Sequence, residues 1–461
     1  MSDPGTGVAS GRPAPARWVV GRRGIALSRL EEEREAAPRT PALIKRNTLL
    51  LALSQALVGA GIQVPYTIGP LVVVALTDSA SLSGLAISLL GLSRFLVAYP
   101  LGKLADAYGR KPGLQLGLVL GLVGTVMVGL TIIGRSFVLF LVGLLLFGMG
   151  LSAIHQLRVA AADMYPPGRR GQALGYVLTG SVLGVFLTPV IIAAAEAASG
   201  PLGLDPLGLT WLFVPVVILP GIVCVALVRP DPRDILLHLK QYYPDYRGEP
   251  RGAAASAHRL SVRTFLRDYP MRVALVSNFA AQSNMSIVMV IGSLVLAHHG
   301  HSLPAIAVAS ALHSAGMFAF SLPLGSLADR LGRRAVMLPG GVVATLGALL
   351  VVFTPDYWSI TLGTFLVGVG WSAVNVAATV LVTDRTRPAE RGRAIGLNDS
   401  LGSVANTIVP LIVGPLAATF GLPSTGVLAM AMMVVPIFLL LMLQEPSPGT
   451  YTRAQATAKG A

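Results

Sequence analysis

Twelve apolar runs, most near the ~20 residues that carry a helix across hydrocarbon, divide the chain between residues 48 and 443. They fall at 48–76, 84–101, 113–133, 136–164, 172–198 and 209–228, then at 271–297, 305–325, 335–353, 358–382, 392–419 and 425–443. In hydrocarbon a backbone must satisfy its own polar groups, and continuous runs of this length do so as helices rather than as alternating strands. Charged residues make up only 12% of the 461 residues and hydrophobic ones 53%, against about 25% charged in soluble domains. The tails and the stretch 229–272 hold 31 of the 56 ions, leaving the runs nearly free of charge. A soluble enzyme, a nucleic-acid binder and a disordered chain are excluded. The fold class predicted is all-α integral membrane, with twelve transmembrane helices.

The net charge of +14 reflects topology. Lys and Arg stay on the cytoplasmic side of a membrane, and here they sit in the N-terminal tail, in the central stretch and in the even-numbered loops. Arg135 is the one basic residue in the odd-numbered loops. Both termini are therefore expected in the cytoplasm, with the plasma membrane as the site. The expected divisions are an N-terminal tail (1–47), a six-helix bundle (48–228), a central cytoplasmic loop (229–270), a second bundle (271–443) and a C-terminal tail (444–461). A single cysteine, Cys224, gives no disulfide framework and no cysteine metal site. The polar, basic N-terminus does not read as a cleaved signal peptide.

The two bundles repeat one another. Pro100-Leu101-Gly102-Lys103-Leu104-Ala105-Asp106 matches Pro323-Leu324-Gly325-Ser326-Leu327-Ala328-Asp329 at an offset of 223 residues, and Gly109-Arg110 matches Gly332-Arg333. Gly148-x-Gly150-x-Ser152-Ala153 matches Gly368-x-Gly370-x-Ser372-Ala373, and Arg170-Gly171-x-Ala173 matches Arg391-Gly392-x-Ala394. Three motifs in order at near-constant spacing define parallel repeats, an organisation associated with transporters that rock about a midplane site.

The segment Gly102 to Lys111 resembles the loop 2–3 signature of the major facilitator superfamily, and Gly325 to Arg334 resembles its second copy in loop 8–9. The resemblance covers about residues 44–443. It implies a secondary active transporter that moves a small organic solute by alternating access, coupled to protons and exporting, as a monomer in the lipid bilayer. It implies no enzyme, no cofactor and no nucleic-acid partner. The signature also implies a latch at the cytoplasmic helix ends, built from Gly102, Asp106, Gly109, Arg110, Lys111, Gly325, Asp329, Gly332 and Arg333. Physically, Asp106 can cap a helix start or accept from an Arg, and Arg110 and Lys111 can bind the carbonyls of a neighbouring helix end. The alternative is that these basic residues only set topology.

Ions inside the runs are costly and point to function. Arg94 lies about 12 Å before Gly102 at 1.5 Å per residue. Arg158 is close enough to an interface to be accommodated there. Asp399, about 10 Å inside the eleventh run, is either the coupling carboxylate or a structural hydrogen-bond partner. The first, fourth, seventh and tenth helices line the cavity in this superfamily. Their polar residues here are Gln63 and Tyr66; Ser152, His155 and Gln156; Asn278, Gln282 and Ser286; and Trp371 and Asn375. Each is a ligand contact or interhelical glue. His155 and His313 are further proton-carrying candidates. The run His298-His299-Gly300-His301 would serve a divalent-metal exporter, yet no Cys or carboxylate accompanies it, so no metal site is assigned.

The chain departs from drug–proton antiporters of the superfamily. Leu144 stands where they carry an Arg, and the first run has no acid. The antiporter pattern of the fifth helix is matched only by Gly180, Gly184 and Thr188-Pro189. None of the tails or loops carries a phosphate-binding Gly-Lys-Ser/Thr loop, so ATP drive is not expected. A third class, a non-transporting receptor or scaffold acting through its tails, would need longer folded tails than these.

Overall fold

The computed structural model describes residues 40–166, 169–244, 266–386 and 391–444, with side chains at all but 98–99, 102–103, 105–106, 171 and 391–393. Every regular element among them is a helix, and twelve spans are long and apolar enough to cross a membrane. The first six are Ala42–Thr77, Leu85–Tyr108, Arg110–Gly134, Phe137–Asp163, Arg170–Leu202 and the pair Pro206–Phe213 with Pro215–Leu227. The second six are Tyr269–His298, the pair Leu303–Ala319 with Ser321–Leu331, Arg333–Phe353, Tyr357–Asp384, Arg391–Phe420 and Pro423–Met442. An even number of spans leaves residues 40 and 444, the ends of the described chain, at one face, here termed the terminal face.

Local chemistry sets the helix ends. The Ser136, Asp205 and Asp356 side chains accept from backbone N–H groups of their own first turns, as N-caps do. Pro206 follows Asp205 at the first helical position, where a missing N–H costs nothing. The first span begins at Ala42 rather than 48, and the second runs on to Tyr108 rather than 101. In the added turns of the first span Asn47 is buried, so helix continues there beyond the apolar run.

The repeat in sequence is a repeat in packing. A Cβ on Gly150 would stand 3.0 Å from the Gly117 carbonyl oxygen and 2.7 Å from Gly121 Cα. A Cβ on Gly370 would meet the Gly340 carbonyl oxygen at 2.5 Å and Ala344 at 2.7 Å. Spans 3 and 4, like spans 9 and 10, thus approach backbone to backbone, the close contact that small residues allow in membranes.

The halves touch one another away from the terminal face. Gly84 lies against the Pro410 carbonyl, Gly91 against Thr407, and Gly414 against the Ser81 carbonyl, so the second and eleventh spans meet at their far ends. Leu303 and Ala307 of the eighth span pack into the core of the first half. Gln63 donates to the Ser314 hydroxyl across the middle of the molecule. Nearer the terminal face Phe95, Leu96 and Leu322 are exposed. His155 and Asp399, each eight residues inside its helix from that face (about 12 Å), are exposed as well. The halves therefore close at the far side and part toward the termini.

Residues 231–243 fold as Pro232–Leu237 and Leu239–Tyr242 and bury Ile235, Leu239 and Tyr243 in the core of the first half. Tyr243 loses its water without gaining a partner: its hydroxyl is buried and makes no hydrogen bond. Burial pushes its pKa up to about 12. Much of the central loop, residues 245–265, lies outside the described residues, as do residues 1–39 and 445–461.

Candidate functional site

Arg94 of the second span is the centre of a charged cluster. Its guanidinium is within hydrogen-bonding and electrostatic reach of the Tyr66 hydroxyl, and within electrostatic reach of His155 and Arg158 of the fourth span. Across the cleft it also acts on Asp399 of the eleventh span. Four spans thus contribute five titratable groups to one cluster. Among the described residues no ion pair within 4 Å includes Arg94, Arg158 or Asp399. The Nε of Arg158 and the Oε1 of Gln156 are buried without a hydrogen-bond partner. Ser152, one turn before them, is buried.

The second half is polar in a different way. Asn278, Gln282 and Ser286 share one face of the seventh span, and that face is tied to its neighbours. Asn278 Nδ2 donates to the Asn398 carbonyl at 3.0 Å and its Oδ1 accepts from Asn375 Nδ2 at 2.8 Å. Asn406 Nδ2 donates to Gln282 Oε1 at 3.3 Å, and Ser286 donates to Asn406 Oδ1. Here the polar stripe binds spans 7, 10 and 11 together. The side-chain amide of Asn398 and the indole N–H of Trp371 are buried with no partner.

His313 is placed away from the cleft. It is buried, its Nδ1 lies 2.7 Å from the Thr364 carbonyl, and a Cβ on Gly368 would overlap the His313 backbone carbonyl. This ring fastens the eighth span to the tenth. Of the histidine run, His299 Nδ1 lies 2.8 Å from the Val295 carbonyl and His301 packs on Tyr357. Among the described residues no group of three His, Cys, Asp or Glu side chains is arranged to hold a metal ion.

At the terminal face the two signature copies make parallel networks. Arg110 Nε is 2.7 Å from Asp163 Oδ2, and Arg333 Nε is 2.9 Å from Asp384 Oδ2. Arg333 also reaches Asp329 at 3.4 Å. Lys111 Nζ donates to the Ala226 and Val228 carbonyls at the end of the sixth span. Arg334 does the same for Leu443 at the end of the twelfth. These bonds all stay within one half. Gly109 and Gly332 hold φ values of +104° and +100°, a conformation that favours glycine. Gly325 lies open beside Val376. Gly102 and Asp106 lie in the second span, at positions where the backbone alone is described.

Three acids of this region were not singled out by the sequence. Asp163 and Asp384 are related by the same 221-residue offset as Arg170 and Arg391, a signal that was available. Asp231 was not legible, because it arrives from the central loop. Its carboxylate accepts from the backbone N–H groups of Arg110 (3.0 Å) and Lys111 (2.9 Å) at the start of the third span, where an anion is favoured. A Cβ on Gly109 would stand 2.7 Å from that carboxylate.

Residues 51–252 and 274–460 match the family model described as Major Facilitator Superfamily. An uncharacterized MFS-type transporter of Bacillus subtilis, YdeG, is 26% identical over 82% of this chain and 87% of its own. The riboflavin transporter RfnT of Brucella anthropi is 27% identical over 86% of this chain and 96% of its own. Among solved structures, a mutant of the nucleoside transporter NupG superposes with a TM-score of 0.65 at 14% identity, covering 87% of this chain and 100% of that one.

Proposed function

Because the chain belongs to the Major Facilitator Superfamily, as an integral multi-pass membrane protein, we propose that it is a secondary active transporter of a small organic solute. The observation that carries this reading is the one-sided cleft. Charged groups of both halves come into reach of one another where the halves part toward the terminal face, while the halves touch at the far face. Rocking the halves about the cluster would exchange the two openings, which is alternating access. The relatives named for riboflavin and nucleosides support an organic solute rather than an inorganic ion.

The terminal face is the cytoplasmic one on the distribution of Lys and Arg. Asp399 is the proton carrier: it is an exposed carboxylate in the cleft, and the guanidinium it faces belongs to the other half. The Arg110 and Arg333 networks stiffen each half at that face, so that each moves as a body. Purified protein in proteoliposomes tests the whole reading. Solute accumulation driven by an imposed pH gradient, and collapsed by an uncoupler, is expected. The sign of accumulation gives the direction, with export as the direction implied by the family resemblance. Absence of flux across a broad solute panel would remove the reading.

A further inference from the structure

We propose that the central cavity takes an organic anion, held by the guanidinium groups of Arg94 and Arg158 beside His155 and Tyr66. The inference rests on the transporter reading and names the charge of the cargo. Two guanidinium groups within electrostatic reach repel one another, and neither can shed its proton at physiological pH. Such a pair, half-buried at the depth of a bilayer, is costly unless something compensates it.

Three arginines at the terminal face are compensated. Arg110 has Asp163, Arg333 has Asp384, and Arg334 has the Leu443 carbonyl. Arg94 and Arg158 have none of these: among the described residues neither makes an ion pair within 4 Å nor donates to a backbone carbonyl. Arg158 keeps a buried Nε–H with no acceptor at all. Lys111 and Arg334, by contrast, donate to carbonyls at helix ends. The acid in reach of Arg94 is Asp399, and Arg158 is in reach of Arg94 alone among charged groups, so a positive charge is left over before His155 is counted.

A carboxylate, sulfonate or phosphate on the solute supplies the missing acceptor, because its oxygens match the planar donor fork of Arg. His155 is exposed in the same cleft, which leaves the pair reachable from the terminal face. The Tyr66 hydroxyl, beside Arg94, adds a neutral donor for a second oxygen.

The test is ligand-induced thermal stabilisation of the purified full-length protein, read over a library of aromatic and aliphatic solutes. Each member is present as matched carboxylate, carboxamide and amine. Stabilisation by carboxylates and not by their partners is expected. Apparent affinity should fall by about 10-fold or more in Arg94→Gln and in Arg158→Gln, as loss of a charge-assisted contact predicts. Arg94→Lys, which keeps the charge without the fork, should recover part of it. Stabilisation by amines or carboxamides instead, carboxylate binding unchanged in both Gln variants, or no carboxylate that binds, would each overturn the inference. The wild-type comparison needs no variant to fold. Proteoliposome flux separates the two readings: amine transport with an inert carboxylate set fails the anion and keeps the transporter, whereas anion binding without flux of any solute fails the transporter alone.

Discussion

The Arg110 guanidinium stands 2.7 Å from the Asp163 carboxylate, joining the start of the third span to the end of the fourth within one half of the molecule. Neither side chain is more than a fifth exposed, so either one left alone is a poorly hydrated charge. Asp163→Asn is expected to cost about 1.5–3 kcal/mol in unfolding of the purified protein. Arg110→Gln should cost a similar amount, and the double variant much less than the sum. Additive losses in a double-mutant cycle would show that the pair is not coupled.

Gly84 controls the closed side. A methyl there overlaps the Pro410 carbonyl, and the obstacle is backbone that cannot turn aside. Gly84→Ala should force spans 2 and 11 apart at the far face. The native Cys224 is buried, so a cysteine introduced at Tyr66 reports on the cavity alone. Its labelling by an impermeant maleimide added at the far face should rise several-fold in the Gly84→Ala background. Equal labelling in both backgrounds would show that the contact yields without opening.

Asp399→Asn imitates the protonated carboxyl. Gradient-driven accumulation should vanish while solute exchange without a gradient survives, because shape and hydrogen-bonding capacity are kept. Preserved accumulation in a well-folded variant would move the proton to another group, with His155 the next to test.

Tyr243 gives a prediction about alkaline stability. Its folded pKa, about 12, lies above the ordinary value of 10, so the unfolded chain releases the proton first as pH rises. Its contribution is fully present below pH 10 and is lost between pH 10 and 12. Tyr243→Phe should flatten that fall in the melting temperature. It should also raise stability near neutral pH by about 1 kcal/mol, since the variant no longer buries an unpaired hydroxyl. A steeper alkaline fall in the variant would contradict the assignment.

The spans were legible because hydrocarbon imposes one solution on a long apolar run, and the repeat was legible because three motifs keep their spacing. What eluded the sequence was contact between distant segments. Asn278, Gln282 and Ser286 read as one polar face, open between ligand contact and interhelical glue. Their partners Asn398 and Asn406, which turn that face into a seam, sit more than a hundred residues away. Arg94 and Asp399 each stood out as an intramembrane ion, but that they face one another depends on how the halves lean together. His313 looked like Asp399 and His155 by type. Its bond to the Thr364 carbonyl comes from the tenth span, which no pattern in the eighth discloses.

The carboxylate of Asp231 and the guanidinium of Arg233 belong to the connection between halves, yet both grip the first half. The former holds the start of the third span, and the latter donates to the Ala107 carbonyl at 2.9 Å. The connection is therefore anchored at one end before it begins its crossing. A gene cut after the codon for Tyr243 would leave that anchor whole, and two co-expressed fragments would still carry every contact by which the halves recognise each other. Function in such a split protein would mean that the covalent link sets how many copies of each half a cell makes, and that the fit between them is written into the helices.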